Sequence, residues 1–238
     1  VAGFTASAST TYDALNITGE VIVNANNVTF TRCKFNDRMI GTIAGATNPI
    51  QGNNLLVQDC EFDGGDVDGA TSGNTMIWMG HLATFERCNI HSAENGAHAF
   101  ANAGSFIDCY FHDLLTELGG EPQPHTDGIQ SDTDVSFLTV DHCHFYQPTP
   151  ATSSINIYNE SDGTANHLTI NNNLFRTNGG NGGGYAAYFP RFAGWSNISF
   201  TNNVVEMGDK GAYFDSEQNV TTWSGNVDYN TGATITNT

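Results

Sequence analysis

Positive charge is scarce in this chain. Its 238 residues carry seven Lys and Arg against 25 Asp and Glu, a formal net charge of −18. That balance excludes nucleic acid as a partner, because phosphate binding needs clustered cations. Long apolar runs are also missing. No stretch approaches the roughly 18 residues of a transmembrane helix, so membrane insertion is not expected. No pair of cysteines has the close spacing of a zinc site. No long stretch keeps a 3.6-residue apolar period, which excludes a helical bundle or coiled coil. What the chain has in quantity is glycine, 26 residues, together with much asparagine, a composition suited to many tight turns. Its 39% hydrophobic content is enough for one sizeable core.

The five cysteines lie in one repeated phrase. It reads Phe30-Thr-Arg-Cys33-Lys-Phe35, Val57-Gln-Asp-Cys60-Glu-Phe62, Phe85-Glu-Arg-Cys88-Asn-Ile90, Phe106-Ile-Asp-Cys109-Tyr-Phe111 and Val140-Asp-His-Cys143-His-Phe145. Asparagine then takes the cysteine slot, at Asn173, Asn203 and Asn226. The intervals are 27, 28, 21, 34, 30, 30 and 23 residues. Eight copies at such spacing mark a repeat architecture. Counting from the slot, positions −5, −3 and +2 are almost all apolar. Positions −5 and −3 have the period of two that an inward-facing strand requires. The three-residue step from −3 to the slot breaks that period and implies a bend. A third apolar run precedes most phrases, as in Met76-Ile77-Trp78, Ile155-Asn156-Ile157 and Ala187-Tyr188-Phe189.

Three short strands per repeat predict an all-β chain wound as a single right-handed parallel β-helix of about eight coils, since parallel crossovers are right-handed. Equivalent residues then stack at about 4.8 Å. One domain spans 1–238, with a cap or first coil at 1–26, regular coils at 27–228 and a tail at 229–238. The cysteines fall in one column, as buried free thiols. Disulfides between neighbours would need suitable Cα separation and side-chain direction. The asparagines should form a ladder of amide hydrogen bonds.

The repeated phrase, Asn89-Ile90-His91 and Pro124-His125-Thr126-Asp127-Gly128-Ile129-Gln130 resemble the right-handed parallel β-helix proteins of the pectate-lyase-like superfamily. The resemblance is nearest to a bacterial and phage-associated branch with a His-Thr-Asp-Gly-Ile-Gln segment. It covers nearly the whole chain. It implies a secreted or virion-surface protein acting on a polysaccharide along one outer face. The paired-aspartate signatures of the pectin hydrolases and the Arg-centred motif of the pectate lyases are not found.

Outward positions of the third strands offer such a face. They supply Trp78, His98, Phe100, Gln130, Asn156, Tyr213 and Asp215 for binding, since sugars need apolar ring faces and hydrogen-bonding groups together. His125 and Asp127, two residues apart on one side of a strand, form an acid–base candidate. Cleavage of a uronic glycan by β-elimination needs a base, an acid and a cation that neutralises the carboxylate. His125 or Tyr158 fits the first role, Tyr188 the second and Arg191 the third. A glycosidase would instead use two carboxylates, Asp127 with Asp132, Glu160 or Asp215. A non-catalytic adhesin or phage structural protein is the third alternative. No cofactor is required, although a Ca²⁺ ion at Asp63-Gly-Gly-Asp66-Val-Asp68 is a candidate. Position +3 forms a second outward column of Asp63, His91, His112, Tyr146, Arg176 and Glu206, where His91 and His112 should be neighbours.

Overall fold

The computed structural model describes residues 1–36, 53–65, 75–115, 126–147, 152–158, 164–177, 184–189, 195–208, 211–215 and 220–237. Within them the protein is all-β and contains no helix. It is built on long parallel sheets, an arrangement compatible with a parallel β-helix. Among the described residues no helix is long and apolar enough to cross a membrane.

Among the described residues, two nine-stranded sheets and one six-stranded sheet carry the repeats. The first sheet runs from Thr11–Asp13 to Val220–Ser224 and holds positions −5 and −3. The second runs from Asn16–Ile17 to Val227–Asp228 and holds the +2 residues. The third contains Thr75–Met79, Asn95–Ala99, Asp127–Ser131, Ser153–Ile157, Tyr185–Phe189 and Tyr213–Asp215. Every named strand pair is parallel, and equivalent repeat positions pair directly.

The core is the set of apolar columns that the repeat requires. Phe35, Phe62, Ile90, Phe111, Phe145, Phe175 and Val205 are buried at +2. Their rings stack, with centroids 4.6 Å apart for Phe35–Phe62 and 4.7 Å for Phe111–Phe145. Offset aromatic stacking adds to the area each ring removes from water. The expected bend lies at −1, where Arg32, Asp59, Arg87, Asp108, His142, Asn172 and Asn202 all have φ between 51° and 56°. This left-handed residue turns the chain from the first sheet into the second. Its outward side chains pair along the column, Arg87 with Asp59 at 2.7 Å and His142 with Asp108 at 2.5 Å.

The slot residue satisfies the backbone at that bend. All five cysteines are free and buried. Cys143 Sγ donates to Phe106 O at 3.5 Å, and Cys109 Sγ to Phe85 O at 3.5 Å. Asparagine performs the same task more strongly. Asn203 Nδ2 donates to Ile170 O at 3.1 Å and to Asn226 Oδ1 at 3.1 Å. Asn203 Oδ1 accepts from Asn173 N at 2.9 Å and Asn173 Nδ2 at 3.0 Å. Cysteine and asparagine are thus alternative donors to one buried carbonyl, which is why one slot takes both.

Candidate functional site

The third sheet places Trp78, His98, Gln130, Asn156 and Tyr188 at one register position on successive strands. Two residues on, Phe100, Asp132 and Tyr158 form the adjacent column by continuation of the same register. Trp78, His98 and Phe100 pack as an aromatic cluster, with centroids 4.9 Å (Trp78–His98), 4.3 Å (His98–Phe100) and 5.1 Å (Trp78–Phe100) apart. His98 Nε2 lies 2.9 Å from Asp132 Oδ1. The His98 bond holds the Asp132 carboxyl below its ordinary range. The His98 side chain is largely covered, whereas that of Asp132 is 43% exposed.

Tyr188 is three strands from His98, roughly 14 Å at the usual strand spacing of about 4.8 Å. Tyr158 is nearer, one strand across from Asp132. Burial raises the Tyr188 phenol above its ordinary range, and the neighbouring Tyr185 and Tyr158 add to this. The last strand breaks the column. Tyr213 pairs with Ala187, Phe214 takes the position opposite Tyr188, and Asp215 pairs with Phe189. The sequence pattern therefore misplaces Tyr213 by one residue, because strand phase at that end is set by pairing and not by the apolar run. His125 and Arg191, and with them Asp66, Asp68 and Glu160, lie outside the described residues.

Asp127 differs most from the sequence expectation. It is wholly buried, not displayed on an outer face. Ile129 and Ser131, at alternate positions of the same strand, are buried with it, and a Cβ on the intervening Gly128 would lie 2.8 Å from a Phe145 ring carbon. Asp127 Oδ1 accepts from Ser153 Oγ at 2.8 Å, and Oδ2 from Asn156 Nδ2 at 2.9 Å. Its backbone N–H donates to Asn95 Oδ1 at 2.9 Å, and Asn95 Nδ2 donates to Gln130 Oε1 at 3.1 Å. Asn95 and Ser153 belong to this network unannounced by any local motif. Their only signal is the register that sets them opposite Asp127.

Burial pushes the Asp127 carboxyl up to about 7, with Glu94 adding repulsion and the Asn156 and Ser153 bonds opposing it. An unfolded aspartate titrates near 4, so this group favours the folded state fully below about pH 4 and loses that contribution as pH rises through about 7. The loss amounts to roughly 4 kcal/mol. Asp127→Asn is expected to remove that part of the pH dependence and to melt higher than the wild type at pH 8. Asn156 can turn its amide to suit the new side chain, because its Oδ1 has no partner among the described residues. Thermal melts of both proteins at pH 5 and pH 8 check this, and parallel curves would contradict it.

The second sheet carries the +3 column as expected, in the register Asp63, His91, His112, Tyr146 and Arg176. His91 and His112 stack at 5.0 Å. Glu61, Asp63 and His91 bring ligand atoms within 4.8 Å of one another. However, Lys34 Nζ sits among them, 3.0 Å from Glu61 Oε1 and 2.9 Å from Asp63 Oδ2. Its ammonium supplies the neutralising charge that a Ca²⁺ ion at Asp63 would bring, and it holds the Asp63 carboxyl below its ordinary range. Millimolar Ca²⁺ is therefore expected to leave the wild-type melting temperature unchanged and to raise that of Lys34→Met. An equal rise in both proteins would show that the ammonium does not block the site.

No family model, curated protein or solved structure matches this chain.

Proposed function

We propose that the protein is a polysaccharide lyase that cleaves a uronic-acid-containing glycan by β-elimination on the outer face of the third sheet. The chain is read as a single right-handed parallel β-helix of about eight coils, related in architecture to the pectate-lyase-like superfamily. It is proposed to work outside the cell or on a virion surface. The carrying observation is the 2.9 Å His98–Asp132 pair set in an aligned column of aromatic and amide side chains.

Asp132 fixes a proton on His98 Nε2 and leaves Nδ1 as the basic nitrogen. In the proposed reaction His98 removes the proton at C5 of the uronic acid. The electron pair forms the C4–C5 double bond, and the O4 glycosidic bond breaks. Tyr158 protonates the departing oxygen. Tyr188, three strands from the base, is assigned to binding at a neighbouring sugar. Arg191 is assigned to the uronate carboxylate. The two-carboxylate alternative is weaker on this face. Asp127 has no exposed surface, and both of its oxygens accept hydrogen bonds, so it is poorly placed to meet a glycosidic oxygen. Asp127 is instead a positioning residue for Asn156.

Trp78 gives the binding test. Adding uronic oligosaccharides should change the tryptophan fluorescence of the wild type and leave that of Trp78→Phe nearly unaltered. A full response in the variant would place the ligand elsewhere.

A further inference from the structure

The corner before the first sheet places a left-handed residue six positions ahead of the slot in six repeats. Asn27, Asn54, Leu82, Phe137, His167 and Asn197 have φ between 54° and 58°. Asparagine tolerates this conformation, and a larger Cβ-bearing side chain pays for it in steric energy. Three repeats nevertheless carry Leu82, Phe137 and His167. Burial does not offset the strain, since Phe137 is 49% exposed and His167 is exposed. The two rings stack on each other, with centroids 4.9 Å apart and planes 18° apart. On the other side of Phe137 the next strand presents Ala103, whose methyl is buried. Ala103 has no side chain long enough to cover the ring face turned towards it.

The flanking side chains are polar. Ser136 Oγ donates to Asn102 Oδ1 at 3.0 Å, and His167 Nδ1 lies 2.7 Å from Asn166 Oδ1, which holds the imidazole in place. We propose that Phe137 and His167 form a carbohydrate-binding platform, distinct from the third-sheet face. A neutral pyranose ring stacks on the open face of Phe137, and Asn102, Ser136 and Asn166 bond its hydroxyls. An apolar ring face flanked by amides and hydroxyls matches the two surfaces of a sugar. A uronic acid is disfavoured here, because these five side chains include no Lys or Arg.

Affinity electrophoresis through gels containing β-glucan, mannan, galactan or xylan tests this. At least one gel should retard the wild type. Phe137→Asn should abolish that retardation while raising the melting temperature by roughly 2 °C, as relief of the strain requires. Phe137→Trp should keep the retardation, and Trp78→Phe should not affect it. The proposal is overturned if no gel retards the wild type, if Phe137→Asn is retarded equally, or if Trp78→Phe alone abolishes retardation. That last outcome would move neutral-sugar binding to the third-sheet face without bearing on the lyase reaction.

Discussion

Replacing Asn203 by alanine is expected to destabilise the protein by roughly 3–5 kcal/mol, since each buried polar group left without a partner costs about 1–3 kcal/mol. The side chain is 0% exposed and serves four hydrogen bonds. Its loss strands the Ile170 carbonyl and the Asn173 N–H in an apolar interior, where water is not a substitute. For a chain of this length the melting temperature should fall by roughly 10 °C or more. Asn203→Cys should cost much less, because a thiol already donates to the equivalent carbonyl at Cys88, Cys109 and Cys143. The converse exchange, Cys143→Asn, should be tolerated, since Asn173 below it shows the amide fitting the same slot. Equal losses for Asn203→Ala and Asn203→Cys would show that volume, and not hydrogen bonding, decides the slot.

The second large effect concerns catalysis. His98→Ala is expected to lower kcat on a uronic polysaccharide by about 10²–10⁴, the range typical of a general base. Asp132→Asn should also lower kcat, with little change in KM, because the altered partner no longer fixes the proton on Nε2. Its rate profile should shift with pH, whereas a merely structural role for Asp132 would change stability and leave that profile in place. His98→Gln keeps the hydrogen bond to position 132 and should fold normally while remaining inactive. Full turnover in His98→Gln would remove His98 from the chemistry.

Much of the fold is legible in the sequence, because a repeat reports its own register. The phrases around Cys33 to Asn226 place the −3 and +2 columns directly, and the structure pairs those residues strand by strand. The break between −3 and the slot announces the left-handed residue at −1. The candidate face is only half legible. Trp78, His98, Gln130, Asn156 and Tyr188 share a column because their strands have clear apolar neighbours. The pairing of His98 with Asp132 is diagonal across two strands, 34 residues apart, and no local spacing encodes it. Asp127 misleads for a related reason. Its period-two relation to His125 suggests a shared outer face, yet the carboxyl lies in a buried network with Ser153 and Asn156. Lys34 likewise looks like an ordinary surface cation until register sets it against Glu61 and Asp63.

The His98–Asp132 face is proposed to cleave a uronic glycan by elimination. The most direct test follows the ultraviolet absorbance of wild-type protein with a panel of uronic and neutral polysaccharides, measuring reducing ends in parallel. Absorbance from unsaturated uronate ends, growing in step with reducing ends on at least one uronic substrate and absent with His98→Gln, is the expected result. Reducing ends without that absorbance would contradict elimination and return the two-carboxylate hydrolase to first place.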